Sequence, residues 1–244
     1  LGDVYKRQQL YAWRALLHFD LARMFCQIPT ISDDINAGNT GLVLSLEVYE
    51  PGYVAPRTTL KETYDQILKD FDTAIDMDRY DPDGWAARAI VRLQQSKYKE
   101  AENDLDQAIH LSARNSGNYI NRALARFHQN NLRGAMSDYD LALDIDPNNF
   151  LGHYNRGLLR AQVGDDNRAI EDFDFVLKME PDNMMAAFNR GLLRAQTGDY
   201  RGAISDYSKV IDEYPNLWRV TITVPKPARR LATVREPSRT SSKS

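Results

Sequence analysis

The sequence predicts an all-α chain: a right-handed α-α superhelix, a solenoid of antiparallel helix hairpins, with an irregular loop insertion at 27–58 and a disordered C-terminal tail. Three observations predict it. Residues 82–217 repeat every 34 residues, a period that marks stacked helical supersecondary units. Within the repeat, position eight is small (Ala89, Ala123, Gly157, Gly191), position twenty is Ala (Ala101, Ala135, Ala169, Ala203) and position twenty-four is large (Leu105, Tyr139, Phe173, Tyr207). Turn residues also fall in register, with Pro147, Pro181 and Pro215 closing helices and Asn115, Asn149 and Asn183 ending three repeats.

Each element follows from these signals. Residues 3–8 read DVYKRQ, a hexapeptide that resembles one reading frame of a transposase adapter, so residues 1–8 are expected to be a sequencing scar outside the fold; the alternative is a true helix start. Residues 9–26 copy a helix A: Tyr11, Arg14, Ala15, Leu16 and Phe19 match Tyr119, Arg122, Ala123, Leu124 and Phe127. An irregular stretch carrying Pro29, Gly38, Gly41, Pro51, Gly52 and Pro56 follows, and residues 60–77, with Phe71, Ala74 and Ile75, have helix B spacing. Four repeats come next, 82–115, 116–149, 150–183 and 184–217. Their helices are predicted at 83–95, 98–110, 116–129, 132–144, 150–163, 166–178, 184–197 and 200–212. Gly164-Asp165 and Gly198-Asp199 break two hairpins between their helices, and Pro147 cannot continue a helix. Small residues at eight and twenty let helices A and B approach, and the large one fills the remaining gap. One hairpin cannot bury its apolar face alone, so neighbours stack.

A charged pattern runs with the apolar one. Arg88, Arg122, Arg156 and Arg190 hold position seven, Arg92, Arg126, Arg160 and Arg194 hold position eleven, and Asp104, Asp138, Asp172 and Asp206 hold position twenty-three. Residues four apart share a helix face, and a guanidinium fork matches a carboxylate. The matching rows predict Arg–Asp clasps between helices or repeats; the alternative is an anion-binding ladder.

Over residues 82–217 this pattern resembles the tetratricopeptide repeat (TPR) family. The resemblance implies a protein-interaction scaffold whose concave face is built from helix A positions two, five, nine, twelve and thirteen. The candidate groove residues are Ile120, Leu124, His128, Tyr154, Leu158, Gln162, Phe188, Leu192 and Gln196, an apolar strip edged by amides suited to an amphipathic helix or extended peptide. Tyr154 and Phe188 are the expected anchors; the alternative is that some of these residues pack against their neighbours. One TPR subclass clamps a peptide carboxylate. Asn121, Asn155 and Asn189 match it at position six, but its Lys at five and Asn at nine are apolar here.

The segments YAWRALLHFDLARMF and EVYEPGYVAPRTTLKETYDQILKDFDTAI resemble the SusD/RagB family of outer-membrane nutrient-binding lipoproteins over residues 9–77. That implies a TPR-like hairpin with a long loop over 9–81, a place in the cell envelope, and nutrient or glycan capture beside a TonB-dependent transporter. No ligand-contacting segment of that family has a counterpart here. Two readings of the join stand open: a natural fusion, or two unrelated fragments assembled near residues 76–81.

Composition removes other classes. No run of about 18 apolar residues exists to span a membrane. Of 31 Lys/Arg and 34 Asp/Glu, seven basic and one acidic residue lie in 219–244, so the body is acidic and unsuited to a phosphate backbone. Cys26 is alone, and His18, His110, His128 and His153 form no metal-ligand spacing. The acidic runs at 76–84 and 144–149 fail the calcium-loop register and read as turns. With no phosphate-cradling Gly loop and no nucleophile elbow, the sequence predicts no catalytic residue, no metal and no cofactor.

The tail, 218–244, is basic and aperiodic in its own frame. Taking the third base of each codon with the first two of the next permits AGYYHRAEARKKIGDRKGA directly after Trp218. That reading puts Arg at positions seven and eleven, Ala at eight, Gly-Asp at fifteen and sixteen and Ala at twenty of a fifth repeat. The expectation is a frameshifted repeat.

Overall fold

A computed structural model describes residues 2–25 and 58–213; the loop insertion and the tail fall outside the described residues. Among those described there are ten α-helices and no strand: α1 Gly2–Phe25, α2 Leu60–Met77, α3 Pro82–Gln94, α4 Tyr98–Leu111, α5 Ser116–His128, α6 Leu132–Ile145, α7 Phe150–Gln162, α8 Asp166–Met179, α9 Met184–Thr197 and α10 Tyr200–Glu213. They pair in sequence as five hairpins, α1·α2 through α9·α10. The chain divides into two compact units, Leu1–Pro147 and Asn148–Ser244.

Local chemistry sets the helix ends. Thr59 opens α2 with a capping box, accepting from the Glu62 amide while the Glu62 carboxylate accepts from the Thr59 amide, which satisfies two otherwise orphaned donors. Position thirty-four caps each later helix A: Asp81, Asn115, Asn149 and Asn183 accept from backbone amides two or three residues on, the role short polar acceptors fill best. Pro82 sits in the first turn of α3, where a missing N–H costs nothing. Only α1 departs clearly from expectation. It begins at Gly2 rather than residue 9, and the stretch from Asp3 to Gln8 holds no Gly or Pro to stop propagation towards the N-terminus.

The turn between helices A and B passes through a left-handed residue four times. Position fifteen is left-handed in every repeat: Ser96 (φ 57°), Asn130 (61°), Gly164 (81°) and Gly198 (93°). In the first three, an amide two residues past the C-cap bonds five residues back, Lys97 to Arg92, Asn131 to Arg126 and Asp165 to Arg160, at 2.8–2.9 Å. A Schellman closure of this kind satisfies carbonyls that the helix leaves free.

In the first unit, Ala15, Phe19, Leu60, Tyr64, Ile67, Phe71 and Val91 form one buried cluster, so α3 packs into the core of the N-terminal hairpin. Ala89, Ala101 and Leu105 form the next. In the second unit, Ala169, Phe173, Val176 and Leu177 join Ala186, Ala187 and Leu193, while Ala195, Ala203 and Tyr207 take Phe188 and Leu192 against them. The small residues at position eight act as the sequence predicts. A Cβ on Gly157 would stand 3.2 Å from the Phe173 ring, and one on Gly191 would stand 2.9 Å from Tyr207.

Candidate functional site

The arginine rows are consumed by carboxylates. In each TPR-type hairpin, position seven donates Nε and Nη2 to the two oxygens of position twenty-three: Arg88 to Asp104, Arg122 to Asp138, Arg156 to Asp172 and Arg190 to Asp206. Position eleven adds Nη1 to the same carboxylate at 2.6–2.9 Å. These aspartates are 1–3% exposed, so their charge depends on such pairing. The anion-ladder alternative therefore loses its free guanidinium row.

Position seven also reaches backwards. Nη1 of Arg88 pairs with Asp72, that of Arg122 with Asp106 and that of Arg190 with Asp174. Arg126 adds a bond to Glu102 of the preceding hairpin at 2.9 Å. Position twenty-five had carried this signal as a 34-residue row of aspartates, Asp72, Asp106, Asp140 and Asp174, beside the position-twenty-three row singled out above.

The N-terminal hairpin reproduces the clasp with one change. Arg14 grips both oxygens of Asp70 at 2.5 and 2.7 Å, and Gln66 donates to Asp70 at 2.8 Å. His18 holds the position-eleven place, 4% exposed, and its Nδ1 has no hydrogen-bond partner among the described residues. Burial pushes its pKa down, with Arg14 adding to the effect and Asp70 opposing it. It is a neutral packing residue.

The predicted groove residues are placed unevenly. In the first unit Ile120 is 7% exposed and belongs to the core, Leu124 is half-buried, and exposed His128 stacks on Tyr98 at 4.4 Å between centroids. In the second unit Tyr154, Leu158 and Gln162 run at i, i+4, i+8 along α7, and Phe188, Leu192 and Gln196 do so along α9. Leu158, Gln162 and Gln196 are exposed, and Tyr154, Phe188 and Leu192 half-buried. Asn189 Nδ2 donates to the Tyr154 hydroxyl at 3.2 Å, tying the two stripes together. Burial raises the Tyr154 pKa and the Asn189 bond opposes it, so the hydroxyl stays a neutral acceptor and donor. Both aromatic rings also lean on the core: Tyr154 lies 5.7 Å from Phe173, Phe188 5.9 Å from Tyr207.

The acidic run at 76–84 is spent on turns. Asp78 accepts from the Tyr80 amide and Asp81 from the Asp83 amide and Gln8. Gln8, Asp78, Asp81, Asp83 and Trp13 edge a cavity of about 420 Å³ under α1. Among the described residues no group of three or more His, Cys, Asp or Glu is arranged to hold a metal ion, and no helix is long and apolar enough to cross a membrane.

Antiparallel 34-residue hairpins with a small-residue A/B contact and asparagine-capped joins define the tetratricopeptide-repeat class of helical repeat. Comparison with known families agrees: residues 154–217 and 123–164 match two tetratricopeptide repeat profiles. A third profile, SusD-like, described as "starch-binding associating with outer membrane", matches residues 6–89, which takes in α1, α2 and most of α3. No curated protein matches the chain. Among solved structures, MamA aligns with TM-score 0.59 at 16% identity, covering 65% of this chain and 93% of its own. YrrB, described as a TPR protein with an unusual peptide-binding site, aligns at 0.56 and 18%, covering 70% and 85%. A tetratricopeptide repeat protein from Parabacteroides merdae aligns at 0.57 and 23%, covering 66% and 64%. At these identities the likeness is one of fold.

Proposed function

We propose that this chain is a non-catalytic protein-interaction scaffold that binds a peptide or short helix of a partner protein along its helix A faces, on α7 and α9 first. One observation carries the reading: Tyr154–Leu158–Gln162 and Phe188–Leu192–Gln196 form parallel apolar stripes ending in exposed amides, pinned side by side by Asn189. An amphipathic helix laid across them would seat its apolar residues on the leucines and rings while its backbone ends meet the glutamines. The repeat-family matches support the same class of activity. The test uses peptides selected from a random displayed library on the intact chain. Leu158→Glu, at an exposed site, should weaken them by about tenfold or more with unfolding unchanged. Selected peptides that bind the variant equally well would sink the reading.

A second reading rests on the SusD-like match at residues 6–89: a nutrient- or glycan-binding accessory lipoprotein of a TonB-dependent transporter, located in the cell envelope. Retardation of the chain in starch-containing native gels, together with recovery in an outer-membrane fraction, would favour it. Unretarded migration would remove the starch ligand.

A further inference from the structure

Among the described residues, helix α10 leaves more exposed a side that its counterparts largely bury. On α8, Val176 and Leu177 are 0% and 8% exposed and cluster with Ala186, Ala187 and Leu193 of the next helix A. On α4 and α6 the corresponding Ala108, Ala142 and Leu143 are buried too, and Ile109 is half-buried. On α10, 34 residues further on, Val210 is only partly buried and Ile211 is 38% exposed. In a stacked array each hairpin hides this side under its successor.

We propose that the Val210–Ile211 side of α10 is the seat of a fifth hairpin, encoded by the bases that follow Trp218 and displaced by one base from the frame in which they are read. The register argues for this occupant. The shifted reading AGYYHRAEARKKIGDRKGA begins at position two of a repeat whose first residue is Trp218. Its arginines fall at seven and eleven, where Arg190 and Arg194 clasp Asp206. Its Ala at eight takes the place of Gly191, which meets Tyr207. Its Gly-Asp falls at fifteen and sixteen, where left-handed Gly198 turns the chain into α10. Its Ala at twenty takes the place of buried Ala203. Positions three, four and ten, which in α9 are Ala186, Ala187 and Leu193 against Val176 and Leu177, become Gly, Tyr and Ala. That combination of two small residues and one aromatic ring would cover Val210 and Ile211.

The coding DNA tests this directly, because third bases are free in one frame and fixed in the other. The codons of Thr223 and Pro227 should end in C, and those of Val224, Leu231, Ala232 and Glu236 in G. A stop codon in the shifted frame, or other residues at these positions, overturns the proposal whatever any protein does. The second measurement compares the chain with one whose frame is restored after Trp218. Amide exchange across α10 should slow by about tenfold or more in the restored chain. Exchange in α10 that is unchanged in the restored, folded chain would also overturn it.

Discussion

Arg88 reaches Asp72 across the join between α2 and α3, Nη1 to carboxylate at 2.6 Å, while its other nitrogens hold both oxygens of Asp104. One guanidinium thus fastens the SusD-like helix pair to the first regular repeat, by the device that links Arg122 to Asp106 further along. The two carboxylates should contribute unequally. Asp72 is 54% exposed and Asp104 3%. Asp72→Asn should cost about 0–1 kcal/mol, as for a solvent-screened pair. Asp104→Asn leaves Arg88 and Arg92 half-buried without their shared charge and should cost about 3–5 kcal/mol. Urea unfolding of the two variants measures the difference, and equal losses would contradict this division.

Position eight sets helix propensity against space. Gly191→Ala gains about 1 kcal/mol of helix propensity but drives a methyl to 2.9 Å from the buried Tyr207 ring. Overpacking of that kind costs about 1–3 kcal/mol, so the variant should be destabilised. At Gly157 the nearest ring carbons are 3.2 Å away, and the two effects should nearly cancel. Thermal unfolding should therefore rank Gly157→Ala above Gly191→Ala; the reverse order would mean that α9 and α10 are free to part.

Acid should loosen one specific link between hairpins. Burial alone would raise the Glu102 pKa, but hydrogen bonds from Arg126, Lys99 and Gln129 outweigh it and hold the carboxyl at about 2, below its ordinary 4.5. A depressed carboxylate contributes stability that is complete above its unfolded pKa and lost as pH falls through the folded one. The stability difference between wild type and Glu102→Gln should therefore be constant above about pH 4.5 and shrink towards pH 2. A gap independent of pH across that window would assign Glu102 no electrostatic part.

Truncating the two aromatic anchors will not leave the fold untouched. Tyr154 and Phe188 lean on Phe173 and Tyr207, so Tyr154→Ala with Phe188→Ala removes core packing as well as groove surface. We expect a loss of about 2–5 kcal/mol in stability, read by calorimetry, alongside any loss of peptide binding. Full stability in the double variant would place both rings outside the core.

Much of the fold was legible in the residues because the repeat carries its own punctuation. Asn115, Asn149 and Asn183 mark where each helix A starts, and Pro147 and Pro181 mark where each preceding helix B has ended, so the eight repeat helices fall within one residue of their predicted bounds. The clasps were legible for a similar reason, since Arg and Asp rows of one period can meet only in a fixed set of ways. The groove was less so. Ile120 and Tyr154 share position five, yet the isoleucine is buried while the longer tyrosine extends to Asn189. Register fixes which side of a helix a residue occupies; side-chain length decides whether it reaches solvent. The stack of His128 on Tyr98 joins neighbouring hairpins and follows no spacing within either.

The left-handed turn at position fifteen has a consequence for how such an array can change over generations. Ser96, Asn130 and Gly164 differ in side chain but share a left-handed backbone and the same closing hydrogen bond, so a crossover there between any two of these hairpins delivers the incoming helix B along a similar trajectory. The helix A face and the helix B face can then be inherited separately. Exchange between misaligned copies would add or delete whole 34-residue steps without leaving a broken turn behind, and the number of hairpins becomes a quantity that unequal recombination can adjust.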